Sequence, residues 1–144
     1  GFLVWNKSPA KIYMGDAGAL FLGVLLATLT VRFEPTTQFP ISAYSVPIFL
    51  LAIPILDITV AVLSRIRRHI SPFQGGQDHL SHRLIRAGFS RRTAAFSLWV
   101  LSAIYASIAV YISNTESSFE NYILISAITV WIITFILFFK TRDT

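Results

Sequence analysis

The chain of 144 residues is 54% hydrophobic and only 13% charged, with a mean hydropathy of +0.64. Soluble globular domains carry about 25% charged residues, so this composition excludes a disordered tail and predicts that a lipid bilayer surrounds the protein. Cysteine is absent, which excludes a disulfide framework and a thiolate metal site. The formal net charge is +5, and the positions of the cations decide what that excess means.

Four apolar segments come close to the length of about 20 residues that a helix needs to cross a hydrocarbon core. They lie near residues 15–33, 43–64, 93–113 and 122–139. The sequence therefore predicts an all-α, polytopic membrane protein with about four transmembrane helices. Pro54 lies inside the second segment, where it removes a backbone donor and predicts a kink.

The cations predict the orientation of these helices. If the chain before Ala17 is cytoplasmic, four crossings place eleven of the twelve Lys and Arg residues on that side and leave Arg32 outside, as the positive-inside rule expects. Residues 65–92 then form a basic cytoplasmic loop that attracts anionic lipid headgroups. Nucleic acid is not an expected partner, because the loop has Phe73 and Phe89 alone as aromatic residues for base stacking.

The first candidate functional residue is Asp16, which lies where the N-terminal loop enters the first apolar segment, beside Gly15 and Gly18. Its carboxylate could cap the helix by accepting hydrogen bonds from the first-turn amides. It could equally bind Mg²⁺, which usually takes one or two carboxylates together with phosphate oxygens of the substrate. The residues alone leave both interpretations open.

The second candidate is Asp57, which lies about two helical turns before Arg65 and so roughly 10 Å inside the cytoplasmic end of its helix. A carboxylate in a membrane segment is a functional candidate by default. A structural hydrogen bond or ion pair to a neighbouring helix is the alternative.

The third candidate is the segment from Asp78 to Arg86. In a helix, His79, His82 and Arg83 would share one face. Two histidines are weak support for zinc, which needs three or four protein ligands, whereas histidine beside arginine suits phosphate oxygens. A solvated loop helix would explain the same pattern.

Two blocks of the sequence resemble one family. The block Met14-Gly-Asp-Ala-Gly-Ala-Leu-Phe-Leu-Gly23, with Asn6 upstream, resembles the M-G-D-x-G-S-L-x-L-G block of the polyprenyl-phosphate N-acetylhexosamine-1-phosphate transferases, the MraY/WecA superfamily or glycosyltransferase family 4. Pro54-Ile-Leu-Asp57 followed by Asp78-His-Leu-Ser-His-Arg-Leu84 resembles the family's second block, P-L-L-D…D-x-x-H-L-H-H-R-L. The resemblance covers essentially the whole chain, although from Arg91 onward it consists of hydrophobic spans.

The resemblance implies an enzyme that transfers a sugar-1-phosphate from a UDP-sugar to undecaprenyl phosphate and releases UMP. It implies Mg²⁺ as cofactor, a role in cell-envelope polysaccharide synthesis, and a multi-pass protein of the bacterial inner (plasma) membrane with a cytoplasmic active site. The sugar is expected to be an N-acetylhexosamine, with a UDP-GlcNAc-like donor favoured. Membrane lipids are expected partners, and a homodimer is one candidate assembly.

The resemblance also assigns roles to residues. Asp16 becomes the Mg²⁺ ligand, and it is expected to be catalytic together with His79 and His82. Substrate binding falls to Asn6 near the nucleotide, Arg83 at the phosphates and Asp57 in the kinked helix.

The chain departs from the family pattern in two residues: Ala19 and Ser81 stand where the family usually has serine and histidine. The first difference removes a hydroxyl near Asp16, and the second removes one histidine from the group that is expected to bind phosphate.

Residues 1–144 are therefore expected to be the C-terminal part of one integral-membrane transferase domain. The family's Asp-Asp motif and its Asn-rich nucleotide block have no counterpart in this sequence, so the chain alone is expected to be inactive. The alternative is a non-enzymatic membrane subunit or transporter fragment whose basic loop binds anionic lipid.

Overall fold

The structure is a computed structural model that describes residues 1–6, 9–32, 46–73, 76–114 and 120–141. It contains two compact units, Gly1–Glu34 and Pro35–Thr144. The first unit holds helices α1 (Phe2–Asn6) and α2 (Gly15–Val31); the second holds α3 (Ala52–Arg67), α4 (Leu80–Arg86), α5 (Arg91–Asn114) and α6 (Glu120–Lys140). Over the described ranges there are helices and no strands, which confirms the predicted all-α class.

Two helices are long and apolar enough to cross a membrane, over residues Arg91–Asn114 and Asn121–Lys140. In their most apolar stretches, only 17% and 11% of the residues are buried. Helices in the core of a soluble protein would be mostly buried, so these surfaces need an apolar medium or partner outside the chain. The predicted third and fourth spans are thus confirmed as helices of membrane-crossing length.

The other two predicted spans are not established in the same way. The apolar part of α2, Gly15–Thr30, is a shorter helix. The first residues of the segment predicted over residues 43–64 lie outside the described residues. From residue 46 to residue 50 the segment is helical, and a turn at Leu51 interrupts it. Four membrane crossings therefore stay a prediction.

The interruption at Leu51 has a physical cause in Pro54. Leu51 has φ −103° and ψ 13°, outside the α-helical region, and α3 begins at the next residue. Pro54 has no N–H to donate, and its ring clashes with the carbonyl four residues earlier, that of Leu50. The helix is therefore interrupted near the position where Pro54 predicts a kink, and α3 begins directly after the interruption.

The core of the second unit lies between α3, α5 and α6, with α4 packed against α3 and α5. Leu56 and Val60, one helical turn apart on α3, are fully buried. In the same cluster, the ring of Tyr105 on α5 stacks on Phe49 with 5.9 Å between the ring centroids. The fully buried core also includes Leu80 of α4, so the short helix is held in place by the same cluster.

Helices α3 and α6 run in the same direction. Near the start of α3, the indole Nε1 of Trp131 donates a hydrogen bond to the carbonyl of Ala52 over 3.0 Å. At the other end, the guanidinium of Arg67 lies 5.7 Å from the centroid of the Phe139 ring. The C-terminal ends of both helices therefore meet, and α4 lies at this same end of the unit.

Candidate functional site

The structure brings together two of the predicted site residues, Asp57 of α3 and His79 immediately before α4. Asp57 Oδ2 lies 2.8 Å from His79 Nδ1. The second carboxylate oxygen, Oδ1, accepts a hydrogen bond from the backbone N–H of Leu80 over 2.6 Å. Asp57 therefore makes the structural contact that was the alternative to a functional role. The same contact orients the ring of His79, a candidate catalytic residue.

The imidazole of His79 remains open to solvent. Its side chain is 48% exposed and that of Asp57 is 33% exposed. Within the described ranges, Nε2 of His79 has no hydrogen-bond partner, and the half-buried ring of His82 has none on either nitrogen. Two imidazoles that lie three residues apart can therefore each offer a nitrogen to a ligand.

Arg83 lies in a different environment from the two histidines. It is only 1% exposed, and its Nε donates to the carbonyl of Asp78 over 3.0 Å. Its Nη1 donates to the carbonyls of Phe138 and Thr141, both over 2.9 Å. Arg83 thus fastens α4 to the C-terminal end of α6, where the carbonyl of Phe138 also accepts a hydrogen bond from the hydroxyl of Thr141 over 2.8 Å. The substrate-binding role that the resemblance implies for Arg83 stays a prediction.

A buried ion-pair cluster holds the loop before α4 against the end of α3. The Nε of Arg65 donates to Asp78 Oδ2 over 2.8 Å, Arg68 donates to Asp78 Oδ1, and Nη1 of Arg65 donates to the carbonyl of Pro72 over 2.8 Å. A Cβ on Gly76 would lie 2.7 Å from Asp78 Oδ2, so a larger residue there would force the Asp78 carboxylate to shift. The sequence predicts no separate role for Asp78, and it predicts that the basic loop holding Arg65 and Arg68 attracts anionic lipid headgroups.

The electrostatics of this cluster lower the pKa of Asp78. Burial by itself raises the pKa of this carboxyl, and the hydrogen bonds and charges of Arg65 and Arg68 together outweigh that effect, so that the net direction is downward. The ionised form of Asp78 is therefore favoured by the fold. By linkage, the ion pair stabilises the protein above the ordinary carboxyl pKa, and this contribution is lost as the pH falls through the lowered value.

This linkage predicts an acid-dependent effect of Asp78→Asn. At neutral pH we expect the variant to lose about 1–3 kcal/mol of unfolding free energy, because buried guanidinium donors lose a charged acceptor. The difference from the unsubstituted protein should persist down to about pH 5 and shrink below about pH 4, where an ordinary aspartate begins to protonate. Thermal unfolding in detergent across this range measures it, and an equal loss at pH 3 and pH 7 would contradict the assignment.

In the first unit, Asn6 organises the loop that leads to Asp16. Its Nδ2 donates to the carbonyl of Ile12 over 2.9 Å, and the N–H of Lys11 donates to the carbonyl of Trp5 over 2.8 Å. The loop ends at Gly15, whose φ of +66° lies in the left-handed region that glycine adopts without steric cost. The side-chain amide of Asn6 therefore holds the loop that precedes α2. Its role in nucleotide binding stays a prediction.

Asp16 lies in the first turn of α2, where the N-cap position belongs to Met14 without any side-chain capping bond. Its side chain is exposed and makes no hydrogen bond or ion pair with any part of the chain that the structure describes. The capping interpretation of Asp16 is therefore removed. A carboxylate near the positive end of a helix dipole, without a protein partner, is free to bind a cation that carries substrate phosphates.

The donor set of Asp16 fits Mg²⁺ in one respect. A single hard carboxylate is what this ion takes from a protein when phosphate oxygens and water complete its shell. Within the described ranges, no group of three or more His, Cys, Asp or Glu side chains is gathered for a metal. Asp16 as a ligand of Mg²⁺ therefore stays a prediction, in which substrate phosphates and water would complete the shell.

The family model of glycosyl transferase family 4 matches residues 1–34, and related proteins match nearly the whole chain. The resemblance to glycosyl transferase family 4 is therefore confirmed.

Three of its relatives have names of one kind. A probable undecaprenyl-phosphate N-acetylglucosaminyl 1-phosphate transferase of Bacillus subtilis is 32% identical over 140 residues, which cover 96% of this chain and 35% of the relative. The undecaprenyl-phosphate alpha-N-acetylglucosaminyl 1-phosphate transferase of Escherichia coli K12 is 32% identical over 69% of this chain and 27% of the relative. The Haemophilus influenzae protein with the same name is 28% identical over 86% of this chain and 36% of the relative.

The chain spans about a third of the length of these curated relatives. No solved structure matches it.

Proposed function

We propose that the complete protein carrying this chain transfers N-acetylglucosamine-1-phosphate, or a closely related sugar phosphate, from a UDP-sugar to undecaprenyl phosphate. The observation that carries the proposal is the exposed, unpartnered carboxylate of Asp16 inside the segment that the family model matches. The names of the relatives support the sugar and the acceptor lipid. The role belongs to the synthesis of cell-envelope polysaccharides.

The chemistry of this transfer explains why such residues are needed. An oxygen of the acceptor phosphate ends bonded to the phosphorus of the sugar phosphate, and the bond from that phosphorus to UMP breaks, so UMP leaves with the bridging oxygen. Both reactants are anions and repel each other. When bound, Mg²⁺ neutralises this charge, and Asp16 is the residue that holds it. His79 and His82 offer ring nitrogens to the phosphate oxygens.

The location of the reaction follows from the nature of the acceptor. Undecaprenyl phosphate is a lipid, so its phosphate lies at the surface of the bilayer and its chain lies among the acyl tails. The two membrane-length helices provide the apolar surface for such a location, and the cations around α3 and α4 lie near one end of the second unit. We assign the protein to the bacterial inner membrane, with the site at the cytoplasmic face.

The test is an assay of UMP release by the complete protein in membranes. We expect release that requires UDP-GlcNAc, undecaprenyl phosphate and Mg²⁺ together, and that stops when any one is omitted. Chelation with EDTA, followed by re-addition of Mg²⁺, controls for the metal requirement. Absence of turnover, with retained binding of the protein to vesicles of anionic lipid, would contradict the proposal and favour a non-enzymatic lipid-binding subunit.

A further inference from the structure

The contact between Asp57 and His79 determines which nitrogen of the imidazole carries the proton. Oδ1 of Asp57 accepts the N–H of Leu80 and Oδ2 faces His79 Nδ1 at 2.8 Å. An ionised carboxylate has lone pairs and no proton to donate. Nδ1 of His79 is therefore the donor in this contact, in the neutral as well as in the protonated ring, and Nε2 is the nitrogen left for a ligand.

The geometry around this contact is held by the core on both sides. Asp57 directly follows the fully buried Leu56 on α3, and His79 directly precedes the fully buried Leu80 on α4. The carboxylate also binds the backbone of α4 itself. The ring therefore has a fixed anchor at Nδ1, and 48% of the His79 side chain stays exposed.

Resting on the function proposed above, we propose that Asp57 is a positioning residue that fixes the proton of His79 on Nδ1 and reserves Nε2 for the phosphate of the substrate. Asp57 itself does not touch the substrate. A carboxylate that accepts from one nitrogen of a functional histidine orients the ring and selects its tautomer.

Asp57→Asn separates this role from the structural one. The carboxamide oxygen can still accept the N–H of Leu80, so the start of α4 keeps its contact. The carboxamide NH₂ then faces Nδ1 and needs a lone pair there, so the proton of the neutral ring moves to Nε2. We expect the unfolding midpoint to stay near that of the unsubstituted protein and kcat to fall about 10-fold to 100-fold. The matched control Asp57→Ala removes both contacts and should lower the unfolding midpoint as well.

The deciding measurement is the ¹⁵N NMR spectrum of the imidazoles of the complete protein in alkaline buffer, with the His79 signals identified by their loss in His79→Gln. We expect a protonated Nδ1 in the unsubstituted protein and a protonated Nε2 in Asp57→Asn. A neutral ring with the proton on Nε2 in the unsubstituted protein, or the same tautomer in both proteins, would overturn the proposal. This readout needs no turnover, so it fails or succeeds independently of the transferase assay.

A kinetic control shows whether Asp57 acts through His79. In a His79→Ala background, Asp57→Asn should change kcat less than twofold, because the ring that it orients is absent. An undiminished 10-fold to 100-fold loss in that background would show that Asp57 acts on the reaction by another route and would overturn the positioning role.

Discussion

Asp16→Asn in the complete protein is expected to reduce the rate of UMP release about 100-fold or more. A metal ion that polarises a phosphoryl oxygen contributes several kcal/mol to the transition state, and each 1.36 kcal/mol corresponds to a factor of about ten in rate. Asparagine keeps the size of the side chain and removes the charge that holds the cation. The rate is measured over a series of Mg²⁺ concentrations, which distinguishes weaker binding of Mg²⁺ from a smaller amount of folded protein.

The fold is not expected to change in this variant. Asp16 is exposed and has no hydrogen bond or ion pair with a described residue, and substitutions of this kind usually alter stability by less than about 0.5 kcal/mol. Asp16→Glu is the matched control: it keeps a carboxylate, so activity should return in part at raised Mg²⁺. Full activity of Asp16→Asn at low Mg²⁺ would remove Asp16 from the metal site.

Arg83→Met is expected to lower the free energy of unfolding by about 2–4 kcal/mol. The substitution leaves the carbonyls of Asp78, Phe138 and Thr141 without the guanidinium donors that they have now. Each buried polar group that loses its partner costs about 1–3 kcal/mol, and methionine recovers part of this by filling the apolar volume. Thermal unfolding in detergent measures the loss, and protease sensitivity of the last turn of α6 shows where it occurs.

Arg86→Met is the matched control for this effect. Arg86 lies three residues later on α4, is exposed, and donates one hydrogen bond to the carbonyl of Gln77 over 3.0 Å. Its loss should cost less than about 1 kcal/mol. Equal destabilisation by the two substitutions would mean that the buried contacts of Arg83 do not hold α4 to α6. An Arg83→Met protein with normal stability and no activity would instead favour the substrate-binding role.

Some features could be predicted from the sequence because they depend on neighbouring residues alone. The apolar runs that form α5 and α6 are continuous in the chain, and hydrocarbon thickness sets the length that is needed. Pro54 predicts an interruption because its effect reaches only four residues back. Asp16 was found through a block of adjacent residues, although the choice between cap and free carboxylate required the structure.

Other features depend on contacts between distant residues and left no pattern in the sequence. Arg83 binds the carbonyls of Phe138 and Thr141, 55 and 58 residues away. Every residue has a backbone carbonyl, so the sequence does not indicate which carbonyls an arginine will bind. Asp78 pairs with arginines 10 and 13 residues earlier across a loop. The missing Cβ of Gly76 makes room for that pair. Asp57 and His79 were each candidates, but their mutual contact spans 22 residues.

The most direct test of the account is the position of Mn²⁺, placed by anomalous scattering, in crystals of the complete protein grown with Mn²⁺ and UDP-GlcNAc. We predict an ion bound by a carboxylate oxygen of Asp16 and by a phosphate oxygen of the nucleotide, with Nε2 of His79 within hydrogen-bond distance of the same diphosphate. An ion bound elsewhere, with Asp16 facing solvent or lipid and the diphosphate out of reach of His79, would contradict the account.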